Sequence, residues 1–172
     1  SIYPPVVEYR VAGASRNNKK VNEVEADHIV SLIQAFLEMD EYKGQTIGVI
    51  SMLGNEQSAA IEKKLQAVID PIVYEERRIQ CGTPPQFQGD ERDIIILSLV
   101  DSPNENGGPL RLLSEDGNND KYRKRYNVAV SRARNQLWVV HSLNPDIDLK
   151  SDDLRLKLIK YAINPNRDQD NL

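Results

Sequence analysis

Four arginines, Arg123, Arg125, Arg132 and Arg134, stand within Lys121 to Val140, which reads KYRKRYNVAVSRARNQLWVV. A guanidinium is charged at any ordinary pH. Its planar fork of donors matches the paired oxygens of a phosphate or carboxylate. At about 100° per residue, a helix here puts Tyr126, Ala129, Val130 and Ala133 on one small apolar face. Arg125 and Arg132 then fall on one flank, and Arg123, Asn127 and Arg134 on the other. Asn135-Gln136 breaks the pattern, and Leu137 to Val140 reads as a buried strand. A packed helix with cations on both flanks, feeding a central strand, suits anion binding at a sheet edge. The plainer reading is solvated surface charge.

A second constellation is acidic. Asp90, Glu91 and Asp93 precede the most apolar run of the chain, and strand alternation points Glu91 and Asp93 to one side. Three carboxylates so close could hold a metal for a nuclease, but no lysine follows at nuclease-like spacing. Gly89 permits a backbone turn that a side chain would block. The two histidines are far apart in sequence, and His28 beside an apolar stripe reads as structural. No metal site is expected.

These residues need a sheet to hold them. Val6 to Val11 reads as a strand. Ser15 to Lys20 is a polar, basic loop. Asn22 caps a helix, with Glu25 completing a capping box. Val24, Ile29, Val30, Ile33, Phe36 and Leu37 form its apolar stripe. Gln45 to Ser51 reads as a buried parallel strand. Leu53 to Glu56 turns into a helix striped by Ile61, Leu65, Val68 and Ile69 and ended by Pro71. A strand at Arg78 to Cys81, a Pro-rich loop at Gly82 to Gly89 and a strong strand at Asp93 to Val100 follow. Asp101 to Asp120 is a long loop. A last helix is expected at Ser151 to Ala162 and a frayed tail from Asn164 to Leu172. Strands alternating with helices predict an α/β fold with a mostly parallel sheet and helices on both faces. Ligands of such sheets bind beyond the carboxyl ends of the strands, so the loops at Ser51 to Asn55, Gly82 to Gly89 and Val100 onward share one rim.

Three stretches carry a resemblance to superfamily-one helicases, of the type that includes the RNA-surveillance helicases and their bacterial relatives. YNVAVSRARNQLWVV, from Tyr126, resembles their motif VI. GTPPQFQGDERDIIILSLV, from Gly82, resembles motif V, with Phe87, Gln88, Gly89, Glu91 and Asp93 at matching positions. IGVISMLGNEQSAAI, from Ile47, resembles motif IV. The resemblance implies the second RecA-like motor domain, a three-layer sandwich, spanning residues 1–163. It implies an arginine finger at Arg132, reaching ATP held with Mg2+ by a first RecA-like domain. Gln57, Gln88, Gly89, Glu91 and Arg134 would line the nucleotide. Glu91 would accept hydrogen bonds from a ribose or a facing arginine. Thr83, Ser51, Asn55 and the basic residues Lys19 and Lys20 would meet single-stranded DNA or RNA. Two departures stand out. Glu56-Gln57 replaces a Gln-Arg pair whose arginine contacts the triphosphate in many relatives. Pro84-Pro85 replaces a polar pair, and proline has no amide hydrogen to offer a phosphate.

At 172 residues the chain suits one domain with a full core. Its 40% hydrophobic and 28% charged content is that of a globular protein. A net charge of −4 argues against a strongly basic nucleic-acid coat and leaves local basic patches. Cys81 is the only cysteine, which excludes an intrachain disulfide and suggests a reducing, cytoplasmic setting. No apolar run is long enough to span a membrane. No Gly-x-x-x-x-Gly-Lys-Ser/Thr loop is present, so phosphate cradling is expected from elsewhere, and the stretch alone is expected not to hydrolyse ATP. The start at Ser1 suggests a piece of a longer protein. The competing expectation is a non-catalytic interaction domain that keeps the RecA-like fold.

Overall fold

The computed structural model describes residues 4–114 and 121–165. The expected tail lies, from residue 166 on, outside the described residues. Five strands form one sheet: β1 (Val6–Arg10), β2 (Ile47–Ser51), β3 (Gln80–Gly82), β4 (Arg92–Ser98) and β5 (Ala133–His141). Their order is β1-β5-β4-β2-β3, and every described pairing is parallel. Among the described residues six α-helices surround it: α1 (Glu23–Glu38), α2 (Glu56–Val68), α3 (Pro71–Glu76), α4 (Lys121–Val130), α5 (Pro145–Asp148) and α6 (Leu154–Ile163).

Alternation along β4 explains the layers. Ile94 and Ile96 face one core with Ile29, Ile33 and Phe36 of α1 and Ile61 and Leu65 of α2. Ile95 and Leu97 face the other, with Phe87, Tyr126 and Ala129 of α4, and Leu158 and Ile159 of α6. Helices therefore cover both faces, the expected three-layer α/β sandwich. Each fully buried Ile or Leu contributes roughly 1.5–3 kcal/mol, so β4 anchors both layers. Gly48 in β2 keeps the second layer close: a Cβ there would stand 2.7 Å from Ile95 Cδ1 and 2.9 Å from Phe87 Cε1. Among the described residues, no helix is long and apolar enough to cross a membrane.

Asn22 caps α1 as expected, its side chain accepting from the Glu25 amide at 3.0 Å. Other local expectations change. Val24 and Val68 lie off the buried stripes, 44% and 53% exposed. Pro71 does not merely end α2; it occupies the first turn of α3, whose cap Asp70 accepts from the Ile72 amide. The loop after β3 contains a 3-10 turn, Pro84–Phe87, that seats Phe87 fully in the core.

The largest correction concerns the arginine helix. It stops at Val130, Ser131 and Arg132 form a turn, and Ala133 and Arg134 already belong to β5. The flanks drawn for Arg132 and Arg134 on a continuous helix therefore do not exist. The reason is tertiary. Ser131 turns its hydroxyl back onto the Val128 carbonyl at 2.8 Å, and pairing with β4 begins at Arg92 opposite Ala133. Asn135 and Gln136 do not break the strand; they form its amino end, beyond the apolar layers.

Candidate functional site

Because all described strands run the same way, the sheet has an amino edge and a carboxyl rim, and the candidate residues divide between them. At the amino edge, β4 and β5 begin side by side. The Arg92 amide donates to the Arg132 carbonyl at 3.1 Å, which fixes the Arg132 turn against the segment that carries Glu91. Gly89 has φ +74, in the left-handed region that glycine enters without steric cost. Nothing crowds its Cα, so the residue is needed for its backbone angle rather than for clearance. Gln88, Gly89 and Glu91 are all exposed.

The three arginines of this edge differ in their partners. Arg92 is buried and engaged: Nε donates to the Arg78 carbonyl at 2.8 Å, Nη1 to Asp90 at 2.7 Å and Nη2 to Gln80 at 2.7 Å. Arg134 is half-exposed and pairs with Asp93 at 3.3 Å. Asp93 is held in turn by the Thr46 amide at 2.8 Å. Arg132 is half-buried and touches the hydroxyl of Ser131, at 3.2 Å from Nε and 3.0 Å from Nη2. Among the described residues no carboxylate neutralises it. Asp90, Glu91 and Asp93 do not converge on a cation site: Asp90 and Asp93 are each tied to a different arginine. No described group of three acidic, His or Cys side chains could hold a metal.

Gln57 is elsewhere and is a correction. It is wholly buried, with its amide nitrogen donating to the Asn22 carbonyl at 3.1 Å and to Ser98 Oγ at 3.2 Å. Its oxygen accepts from the Asn22 amide at 2.9 Å. Both amide hydrogens are used inside the fold, so the side chain offers no donor to a triphosphate. It sits where α2 begins, which the parallel topology places at the carboxyl rim.

That rim gathers Ser51 to Asn55, Thr83 and the residues after Ser98, but not the whole Gly82 to Gly89 loop: Gln88 and Gly89 lie at the amino edge, because the loop must return there to start β4 at Arg92. Ser51 is buried and turns its hydroxyl onto the Leu53 carbonyl at 3.2 Å, so it shapes its loop instead of facing outward. Asn55 is exposed at the start of α2. Thr83 is part-buried, and its amide donates to Gln86 Oε1 at 2.8 Å. Lys19 and Lys20 are exposed in the loop after β1. Two cavities open here, of about 380 Å³ beside Met52, Asp101, Arg111 and Tyr122, and about 500 Å³ beside Arg16, Asn17, Ser102 and Asn104.

Sequence reasoning missed the buried polar groups of this rim. Arg155, read only as part of a covering helix, donates to Asp101 at 2.7 Å and to both oxygens of Asp153 at 2.9 and 2.7 Å. Asp153 is the cap of α6, and a capping acid two residues before an arginine was the available signal. Arg92, flanked by acids, gave no signal at all. His28 is structural, its Nδ1 bonded to the Tyr9 hydroxyl at 2.9 Å. Burial pushes the Cys81 thiol up to about 12, so it is protonated at neutral pH and unsuited to nucleophilic work.

Comparison with known proteins places the chain in a family by sequence. The AAA domain family matches residues 6–144. The chain is 29% identical over 177 aligned residues to mov-10-B.1 of Danio rerio, named as a helicase, covering 92% of this chain and 16% of that protein. It is 31% identical over 144 aligned residues to the 5'-3' DNA helicase ZGRF1 of Mus musculus, covering 82% of this chain and 7% of that protein. It thus spans a small part of the length of either relative. A solved structure, the C-terminal domain of a possible DNA helicase from Lactobacillus plantarum WCFS1, aligns with 17% identity and a TM-score of 0.46 over 89% of this chain and 80% of that one. The family match runs from the first residue of β1 to just past the end of β5, the entire sheet, and the chain belongs to the AAA domain family.

Proposed function

We propose that this chain is the second motor domain of an ATP-dependent helicase or translocase, and that Arg132 is its arginine finger. The observation that carries the reading is the state of Arg132: a guanidinium fixed in a tight turn at a sheet edge with no carboxylate beside it among the described residues. A charge held that way is free to meet an anion from outside. Arg92 and Arg134, which flank it, are already paired. The anion would be the triphosphate of ATP, bound with Mg2+ on a first RecA-like domain that carries the phosphate loop. When bound, ATP supplies the phosphoryl group whose negative charge grows more diffuse during transfer, and a planar guanidinium can engage two of its oxygens.

The neighbours of Arg132 have supporting parts. Exposed Gln88 and Glu91 offer an amide and a carboxylate to a base or ribose. Gly89 sets the turn that presents them. Arg134, held by Asp93, lends positive potential to the same edge. Gln57, in the core, gives no second cation, so the reading rests on Arg132 alone. On the opposite rim, Thr83, Asn55, Lys19 and Lys20 would meet the phosphates of single-stranded DNA or RNA, with Ser51 bracing the loop. Few aromatics and a net charge of −4 make that contact weak and salt-sensitive.

The test is Arg132→Ala in the full-length protein, with Arg123→Ala as comparison. ATP hydrolysis by the first should fall on the order of 10³-fold or more, as for other arginine fingers, with an unchanged melting temperature. The Arg123 change should do little, since that residue is exposed near the start of α4. Near-normal turnover for Arg132→Ala, or equal losses in both, would remove the finger and favour an interaction domain that has kept the fold.

A further inference from the structure

Glu25 does not complete the capping box expected of it: the Asn22 amide goes to Gln57 Oε1, and the Glu25 carboxyl turns into the core instead. Glu25 has no accessible surface, and its partners converge from three separate segments, at Asn22, at Ser98 to Val100 and at Ser142. Oε1 accepts from Ser98 Oγ at 2.7 Å and from the Val100 amide at 2.9 Å. Oε2 accepts from Ser142 Oγ at 2.6 Å and from the Asn22 side chain at 3.3 Å. No cation pairs with it among the described residues. Burial raises its pKa above the ordinary carboxylate value, with the Ser142 and Ser98 bonds opposing. A carboxyl taken out of water without a cation is costly even when hydrogen-bonded, and here it meets a second cost.

That second cost is Val100. It is a buried, β-branched residue with φ +69, and the Asp101 amide closes onto the Leu99 carbonyl at 2.7 Å across it. A positive φ with a hydrogen bond spanning one residue is the strained form of the γ-turn, and valine is among the residues least suited to it. Both polar atoms of Val100 are gripped by the first turn of α1. Glu25 takes its amide, and the Asn22 side chain donates to its carbonyl at 2.9 Å. Gln57 steadies the Asn22 backbone from the other side.

The turn has a direct consequence for the rim. It delivers Asp101, which binds Arg16 at 3.1 Å and Arg155 at 2.7 Å, and Ser102, whose hydroxyl accepts from the Arg16 amide at 2.9 Å. Asp101 lines the first rim cavity and Ser102 the second, so the turn sets the ridge between them. Strain of this kind persists only where the surroundings over-determine it, and such places cluster at functional sites.

We infer that Glu25 is a positioning residue that clamps the strained turn at Val100 and so fixes the Asp101–Ser102 ridge against which a single nucleic-acid strand lies. The inference rests on the strand reading of the carboxyl rim given above. Glu25 itself touches no strand.

The test measures two things in the full-length protein and its variants. One is hydrogen exchange across residues 98–102. The other is affinity for fluorescein-labelled oligo-dT and oligo-U at low salt. Glu25→Ala should speed exchange at Val100 and Asp101 and weaken the tighter-bound strand about tenfold, the size of losing one or two well-placed hydrogen bonds. Glu25→Gln keeps an oxygen for Ser98 and the Val100 amide, and should restore most of both. Ile29→Val, a core change in the same helix, controls for lost stability and should leave affinity intact. Should Glu25→Ala not fold, Ser142→Ala, which strips Oε2 of its shortest bond, takes its place. Unchanged exchange at Val100, or faster exchange with unaltered affinity, overturns the clamp. An affinity loss in Ile29→Val equal to that in Glu25→Ala also overturns it, because general loosening would then explain both. If the unmutated protein binds neither strand, the rim reading fails first, and the functional half of the inference goes with it.

Discussion

At the amino edge of β4 and β5, Arg132 meets no described carboxylate, and Arg134 meets one at 3.3 Å while half-exposed. At the carboxyl rim of the same strands, Glu25 and Arg155 are buried, and bonds reach them from several segments at once. Arg132 is left available at one edge, whereas Glu25 and Arg155 are fully engaged at the other. The difference follows from solvent: near water a lone guanidinium costs little, whereas an ion taken into the interior must be matched bond for bond, as Arg92 is even at the amino edge. Variants at Arg132 and Arg134 should therefore alter chemistry at nearly constant stability, and variants at Glu25 and Arg155 should alter stability or shape.

The strongest way to break that contrast after Arg132 is Arg155→Ala. The change leaves Asp153, with no exposed surface, facing an absent cation, and frees Asp101 from one of its two arginines. Removing one member of such a buried cluster costs about 3–5 kcal/mol. Urea unfolding followed by circular dichroism would read the loss. A shift under 1 kcal/mol would mean that the rim is no more tightly built than the amino edge.

A smaller effect is expected from pH. His141 lies at the carboxyl end of β5, wholly buried, with Nδ1 accepting from the Leu143 amide at 3.2 Å and Nε2 bonded to Glu8 at 2.7 Å. The first bond requires a bare Nδ1, so the proton sits on Nε2 and the ring is neutral. Burial lowers its pKa below the ordinary 6.5, against the opposing pull of Glu8. The unfolded chain then takes up a proton at higher pH than the folded one. The stability due to this residue is complete above 6.5 and is lost as pH falls from there towards the folded value. Melting temperatures between pH 7 and 5 should decline less steeply in His141→Gln; parallel slopes would dissociate the decline from this imidazole.

The least effect belongs to Arg134→Ala. Its pair with Asp93 is exposed on the arginine side, 48% by side-chain surface, and such pairs are worth about 0–1 kcal/mol. Denaturation should barely register the change, while ATP turnover in the full-length protein should fall less than for Arg132→Ala. A larger turnover defect at Arg134 would exchange the two roles.

Much of this was legible in the chain. Asp93 to Val100 read as the strongest strand of the chain, and its unbroken apolar run Ile94 to Leu97 is what the structure buries on both faces of the sheet. Asn22 and Glu25 announced a helix start by their spacing. The small residues of the α4 face marked the side of that helix that packs on the sheet. These are local signals, in which residue type and period carry the information. The end of α4 was not legible, because Ser131 to Arg134 is as acceptable to a helix as to a turn and a strand. Pairing of Ala133 with Arg92 decided it, across a separation in sequence that no local pattern spans. Gln57 was misplaced for the same reason: an amide at the start of a helix looks available until Asn22 and Ser98 close on it from distant segments. The sequence by itself determined an α/β sandwich and which arginine motif to watch. Only the tertiary structure decided that Arg132 meets no carboxylate among the described residues and that Glu25 is buried among donors from distant segments, since pairing and burial depend on contacts between residues far apart in the chain.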